Sequence, residues 1–216
     1  MDVLILAPHT DDGEFGCGGT ISRMTSHGHN VYYVAFSAAK NLIVSENLPI
    51  PIDTLEKEAS RATKILGIPE QNLKIHSFPI REFLQHRQEI LDIMVSLNRE
   101  IKPDLVFLPS TRETHQDHQV VSDEGLRAFK KTTIFGYELP WNNLSFKTDV
   151  FVTLEENEIQ KKVEAVLQYE SQSHRDYLNE DFFRCLAKVR GTQIGVPYAE
   201  SFEIVRLIIG KNMLWL

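Results

Sequence analysis

The apolar positions of the chain fall into short unbroken runs separated by segments with a helical period. Val3 to Ala7, Val31 to Ser37, Leu73 to Ile75 and Leu105 to Pro109 read as strands that are apolar almost throughout rather than alternately. Between them the spacing predicts helices from about Gly18 to His27, Leu55 to Leu66 and Arg87 to Arg99. In the second of these Leu55, Ala59, Ala62, Ile65 and Leu66 share one face, Asp53 and Thr54 offer N-caps, and Gly67 stops the helix. In the third, Ile90, Ile93, Met94 and Leu97 form the stripe and Pro103 follows its end. Strands apolar on both faces and separated by helices predict a parallel sheet covered on both sides.

After about Lys131 the pattern changes. Ile134 to Gly136 and Val150 to Leu154 read as strands, Glu155 to Gln168 and Asp181 to Arg190 as helices, and Phe202 to Ile208 as a last strand. No linker, repeat or low-complexity stretch interrupts the chain, so residues 1–216 are expected to form a single domain. The fold class expected is α/β: a Rossmann-like three-layer α/β/α arrangement with a mostly parallel sheet and an elaborated C-terminal part.

Composition narrows the partners. With 216 residues, 42% hydrophobic and 25% charged, the chain has the make-up of a globular protein that buries a core. Its net charge of −7, with no basic cluster beyond Lys130-Lys131 and Lys161-Lys162, argues against nucleic acid as a partner. No 18-residue apolar run exists, so no membrane span is expected. Met1-Asp2 leads into a strand without a positive leader, and the expected location is cytoplasmic. The two cysteines, Cys17 and Cys185, are read as reduced, packed thiols.

The chemistry gathers at two strand ends. His9, Asp11 and Asp12 follow the first strand, and His115, Asp117 and His118 stand a few residues beyond Pro109. In an open parallel sheet ligands bind at the carboxyl ends of the strands, so both clusters belong on one rim. Imidazole and carboxylate donors suit a borderline divalent ion such as zinc, and there are more donors than three ligands require. The surplus leaves a carboxylate free to act as base and a histidine as acid. His115 and His118 are three apart on a helix expected to start near Thr114, and the same interval separates His9 from Asp12.

Other candidates carry less. Gly16 and Gly18 fit the start of a dinucleotide fingerprint, but Ile21 occupies the third glycine position. Arg112, Glu113, Glu138 and Glu200 suit structural salt bridges or supporting roles at least as well as a site. His27, His29, His76, His86 and His174 have no partner at a useful spacing and read as surface or capping residues. Trp141 and Trp215 read as packing.

Three stretches make the sequence recognisable: His9-Thr10-Asp11-Asp12, Gly18-Gly19-Thr20 and His115-Gln116-Asp117-His118. They resemble the motifs of the LmbE-like, PIG-L family of zinc-dependent N-deacetylases. Glu58 to Gly67, Tyr169-x-Ser171-Gln172 and Tyr198-Ala199-Glu200-x-Phe202 extend the likeness over most of the chain. The resemblance implies a Zn2+ site made by His9, Asp12 and His118. It further implies Asp11 as general base, His115 as the imidazolium that stabilises the oxyanion, and Asp117 as the residue tuning that histidine. The implied reaction is hydrolysis of the acetamide of an N-acetylated amino sugar or sugar conjugate, in a homo-oligomer, trimer or hexamer. Alternatives are deacylation of a non-sugar amide, such as an antibiotic or amino acid conjugate, and a catalytically inactive sugar-binding protein. The chain departs from the family where Thr10 and Gln116 replace prolines, and where Leu55 stands in place of an arginine that contacts substrate in many relatives.

Overall fold

The computed structural model describes residues 1–209, so Trp215 lies outside the described residues. Seven strands form one sheet: β1 (Asp2–His9), β2 (Asn30–Ser37), β3 (Leu73–Ile75), β4 (Leu105–Pro109), β5 (Thr133–Tyr137), β6 (Val150–Leu154) and β7 (Tyr198–Arg206). Their order is β3-β2-β1-β4-β5-β7-β6. β3, β2, β1, β4 and β5 pair in parallel, whereas β7 runs antiparallel to both β5 and β6. The mostly parallel α/β sheet expected from the apolar runs is therefore present, and the change of pattern after Lys131 corresponds to the antiparallel edge.

β1 shows why its sequence is apolar without alternation. Val3, Ile5 and Ala7 pack on one face with Phe15, Ile21, Ala59, Ala62 and Val163. Leu4 and Leu6 pack on the other with Ile90, Met94, Leu97, Val120 and Val121. A strand buried on both faces has no polar side to show. The covering helices are α1 (Asp12–Ser26), α3 (Thr54–Ile65) and α6 (Glu156–Val166) on the first face, and α4 (Arg87–Ile101) and α5 (Gln116–Ala128) on the second. Two further α-helices, α2 (Lys40–Ser45) and α7 (Glu180–Ile194), complete the set among the described residues.

The main correction concerns α1, which starts at Asp12 and not near Gly18. The glycines lie inside the helix, where neighbours come too close for a Cβ: the Tyr33 ring at Gly13, the Tyr137 ring at Gly16 and Leu154 at Gly19. Helix propensity argues against such a run, and tertiary packing overrides it. The helix kinks at Cys17, with φ −145° and ψ 24°. Beyond the kink Glu200 accepts hydrogen bonds from the N–H groups of Gly19 (3.0 Å) and Thr20 (2.6 Å), capping the second segment, and pairs with buried Lys162 at 2.6 Å. Cys17 is buried as expected, but Cys185 is exposed on α7, because it falls on the outward side of that helix; both are free thiols. Among the described residues no helix is long and apolar enough to cross a membrane.

Candidate metal centre and active-site cavity

β1 and β4 are neighbours at the point where the strand order reverses, and both candidate clusters sit at their carboxyl ends. His9 ends β1, Asp11 is the N-cap of α1 and Asp12 its first residue, while His115 is the N-cap of α5. Three atoms converge. Asp12 Oδ2 lies 3.2 Å from His9 Nδ1 and 3.3 Å from His118 Nε2, and the two nitrogens are 3.2 Å apart. A tetrahedral ion held at about 2.0–2.1 Å places its ligand atoms about 3.3 Å from one another, which is the spacing of this triangle. His9, His115 and His118 also form a looser group, their nitrogens within 4.8 Å of one another. The carboxylate-containing triangle fits an ion more closely and leaves His115 free.

Each histidine of the triangle has its other ring nitrogen beside a carboxylate, an arrangement that suits a metal-ligating imidazole. His9 Nε2 donates to Asp117 Oδ2 at 3.1 Å, and His118 Nδ1 lies 2.6 Å from Glu113 Oε2. Glu113, which the sequence offered equally as a salt bridge, is thus the support of His118; its side chain is fully buried and burial pushes its carboxyl up. Without an ion, protons hold the triangle together. Burial would depress His118, but the carboxylates of Asp12 and Glu113 push it up to about 10. Burial would raise Asp12, but His118 and His9 hold it well below the usual carboxylate range. A cation held by these three atoms would displace a proton. Glu113→Gln should weaken metal affinity about 10–100-fold, read by competition with a chromogenic chelator, with the fold retained.

The Asp117 carboxylate does not hydrogen-bond to the ring of His115. Its carboxylate accepts from His9 and from the N–H groups of Arg81 (2.6 Å) and Phe83 (3.3 Å). Burial would raise it, but these hydrogen bonds hold it below the usual range. The Asp117 N–H instead donates to His115 Nδ1 at 3.2 Å. An Nδ1 that accepts carries no proton, so His115 is a neutral ring with its proton on Nε2. Burial and the neighbouring imidazoles push it down to about 4, in agreement. Such a ring is a neutral donor through Nε2.

Asp11 is half-buried and contributes none of the three converging atoms. Burial, then the charge of Asp12, pushes its carboxyl up to about 6, while His9 and Arg175 pull it back. A carboxylate poised there suits a general base at neutral pH. The loop carrying it is anchored from below. The Tyr33 and Tyr169 hydroxyls lie 3.0 and 2.5 Å from the Thr10 carbonyl oxygen, and both also meet fully buried Glu14. Burial pushes Glu14 up to about 8. Thr10 thus gains from two phenols the stiffness that a proline would give.

A cavity of about 690 Å³ opens above the triangle. Arg81, Trp141, Asn142, Gln172, His174, Arg175 and Tyr177 line it, none of which was assigned to the site from the sequence. They come from loops far apart in the chain, which no local spacing relates. Trp141 does pack, stacking on Tyr177 at 3.8 Å, but it does so in the cavity wall. His174 lines the same wall and so has a place beyond the surface role expected of it. The C-terminal signature reaches the cavity wall, which Ser171 and Gln172 line, and Ser171 is tied to Glu58 on α3 by its N–H (2.9 Å) and hydroxyl (2.6 Å). Glu138 pairs with Arg190 away from the cavity.

Comparison with known proteins gives the same direction. The chain is 27% identical over 226 residues to the diacetylchitobiose deacetylase of Thermococcus kodakarensis, covering 94% of this chain and 82% of that protein. The structure of N,N'-diacetylchitobiose deacetylase from Pyrococcus horikoshii matches with a TM-score of 0.76 at 23% identity, covering 94% of this chain and 83% of the other. GalB, the 4-carboxy-2-hydroxymuconate hydratase of Pseudomonas putida KT2440, also matches at 0.76, with 18% identity and coverage of 98% and 99%. The fold by itself thus accommodates different reactions, and the residues of the site must decide. Residues 4–129, more than half of the chain, match the family described as PIG-L: GlcNAc-PI de-N-acetylase, and the chain belongs to that family.

Proposed function

We propose that the protein is a zinc-dependent hydrolase that removes the acetyl group from an N-acetylated amino sugar or sugar conjugate. The observation that carries this reading is the triangle of His9, Asp12 and His118 with an uncommitted carboxylate, Asp11, next to it in sequence and beside the same cavity. When bound there, zinc supplies Lewis acidity, lowering the pKa of a water toward about 7 and polarising the amide carbonyl. Asp11 takes a proton from the attacking water as the new C–O bond forms. The same carboxyl then gives that proton to the nitrogen as the C–N bond breaks, releasing acetate and a free amine. His115 donates its Nε2–H to the carbonyl oxygen as negative charge develops on it, and a neutral ring suffices for that donation. Asp117 is a positioning residue: it keeps His9 in the tautomer whose Nδ1 faces the centre. A protein that only binds sugar needs neither Asp11 nor His115 beside the ligand set.

The test is release of acetate from N-acetylglucosamine and its oligomers by protein stripped with a chelator and then given zinc. Activity should vanish on stripping and return with about one equivalent of metal per chain, one ion per triangle. Absence of acetate from every N-acetyl sugar after zinc is restored would overturn the reading.

A further inference from the structure

In the loop between β3 and α4, Pro79 to Glu82 form a turn closed by a hydrogen bond from the Glu82 N–H to the Pro79 carbonyl oxygen at 3.2 Å. Of its two central residues Arg81 alone has a positive φ, +70°. That is the mark of a type II turn, whose third residue is ordinarily glycine, whereas a type I turn over the same residues needs no positive φ. The two differ by a rotation of the central peptide, which reverses the directions of its N–H and C=O. An arginine thus stands where the backbone favours glycine, although the other turn would relieve it.

Both ends of that central peptide, between Ile80 and Arg81, are held. Its N–H donates to Asp117 Oδ2 at 2.6 Å, and its carbonyl oxygen accepts from Asn41 Nδ2 at 3.4 Å. Asn41, half-buried on α2, also accepts the Ile80 N–H at Oδ1, 3.0 Å away. Its amide can meet the N–H and the C=O of Ile80 together only while that carbonyl faces α2. On the other side, fully buried Asp117 holds His9 Nε2. Phe83, from the same loop, adds its N–H to the second oxygen of Asp117 and sets its ring 6.0 Å from that of His9. Rotation of the peptide would take the Arg81 N–H away from Asp117 and turn the Ile80 carbonyl oxygen toward it. Two buried acceptors would then face each other with no proton between them.

We propose that Asn41 is a positioning residue of the metal centre: by clasping Ile80 it selects the turn in which the Arg81 N–H fixes Asp117, and through Asp117 the ring of His9. This rests on the metal triangle of the reading above and not on the reaction assigned to it. A positive φ disfavours that turn for a non-glycine residue by a factor of about 5–30, which Asn41 and Asp117 together offset. Only the backbone at position 81 takes part, and the guanidinium is not needed.

Two quantities test this. Hydrogen exchange at the amide of position 81, followed by NMR in zinc-free protein, reports on the peptide, and zinc affinity, by competition with a chelator, reports on its consequence. In Asn41→Ala the protection of that amide should fall at least about fivefold. Zinc should bind about tenfold more weakly, the low end of the loss expected when the support of a metal ligand is removed. Adding Arg81→Gly to Asn41→Ala should restore most of both, because glycine takes a positive φ without steric cost. A residue that merely staples α2 to the loop gives no such rescue. If Asn41→Ala does not fold, Arg81→Val with Asn41 intact carries the test. Its β-branched side chain opposes the positive φ, so zinc should bind more weakly than to Arg81→Ala, which has also lost the guanidinium. Unchanged zinc affinity in Asn41→Ala, a loss that Arg81→Gly leaves in place, or equal affinity of the valine and alanine variants overturns the inference. If the unaltered protein binds no zinc while the exchange rates move as expected, selection of the turn by Asn41 stands and the metal triangle fails instead.

Discussion

Asp11→Asn should lower turnover by about 10²–10⁴-fold while leaving the metal in place, the range expected for loss of a positioned general base. The substitution keeps the shape of the side chain and removes only its proton affinity. Asp11 contributes no atom to the triangle of His9, Asp12 and His118, so metal content should match the unaltered protein. The pH profile supplies an independent check. A base must be ionised to act, so kcat/KM should rise with pH through the Asp11 pKa and level off above it. That pKa is pushed up to about 6 without an ion, by burial first and by Asp12 second. A bound cation lowers it, so in the loaded enzyme the rise should lie below pH 6, and in the Asn variant it should be missing. A variant that loses its metal, or keeps turnover within about tenfold of the parent, would remove Asp11 from the role of base.

The sheet was legible from the chain because its physics is local. β1, β2 and β4 are buried on both faces, so each appears as an unbroken apolar run, and β6 is found at the bounds expected. α1 was misread at its start because four glycines within eight residues argue against helix. The reason for them, aromatic rings from β2 and β5 pressed against the helix, lies elsewhere in the sequence. The ligand candidates were legible for the opposite reason: His9 with Asp12 and His115 with His118 carry their spacing with them. Their partners were not. Whether Asp117 turns to His115 or to His9 depends on where the Arg81 loop crosses, and the N–H groups of Arg81 and Phe83 place that carboxylate on His9. The protonation of His115 was likewise hidden, since it depends on the ring capping α5 through Nδ1. Glu113 lies five residues before His118, yet the chain turns between them, and no helical interval marks the pair.

His118→Ala should lose the metal outright and with it all activity above background, since it removes one of three converging donors. The loss should also be visible in stability, and the structure indicates why. Removing the imidazole leaves Glu113, whose side chain is fully buried, facing an empty space, and takes from Asp12 one of its two histidine partners. Stripping the partner from a buried ion pair costs about 3–5 kcal/mol when the remaining group stays charged. Burial already pushes Glu113 up, so the orphaned carboxyl can take a proton instead and the observed loss should fall toward the lower end of that range. For a chain of this length each kcal/mol corresponds to about 2–4 °C in Tm. The double variant His118→Ala with Glu113→Gln separates the two consequences. It replaces the stranded acid by a neutral amide, so much of the lost stability should return while the metal stays absent after desalting. If His118→Ala retained a full equivalent of metal, His9 and Asp12 would have to be completed by His115, the looser of the two histidine groups, and the ligand assignment would pass to that residue.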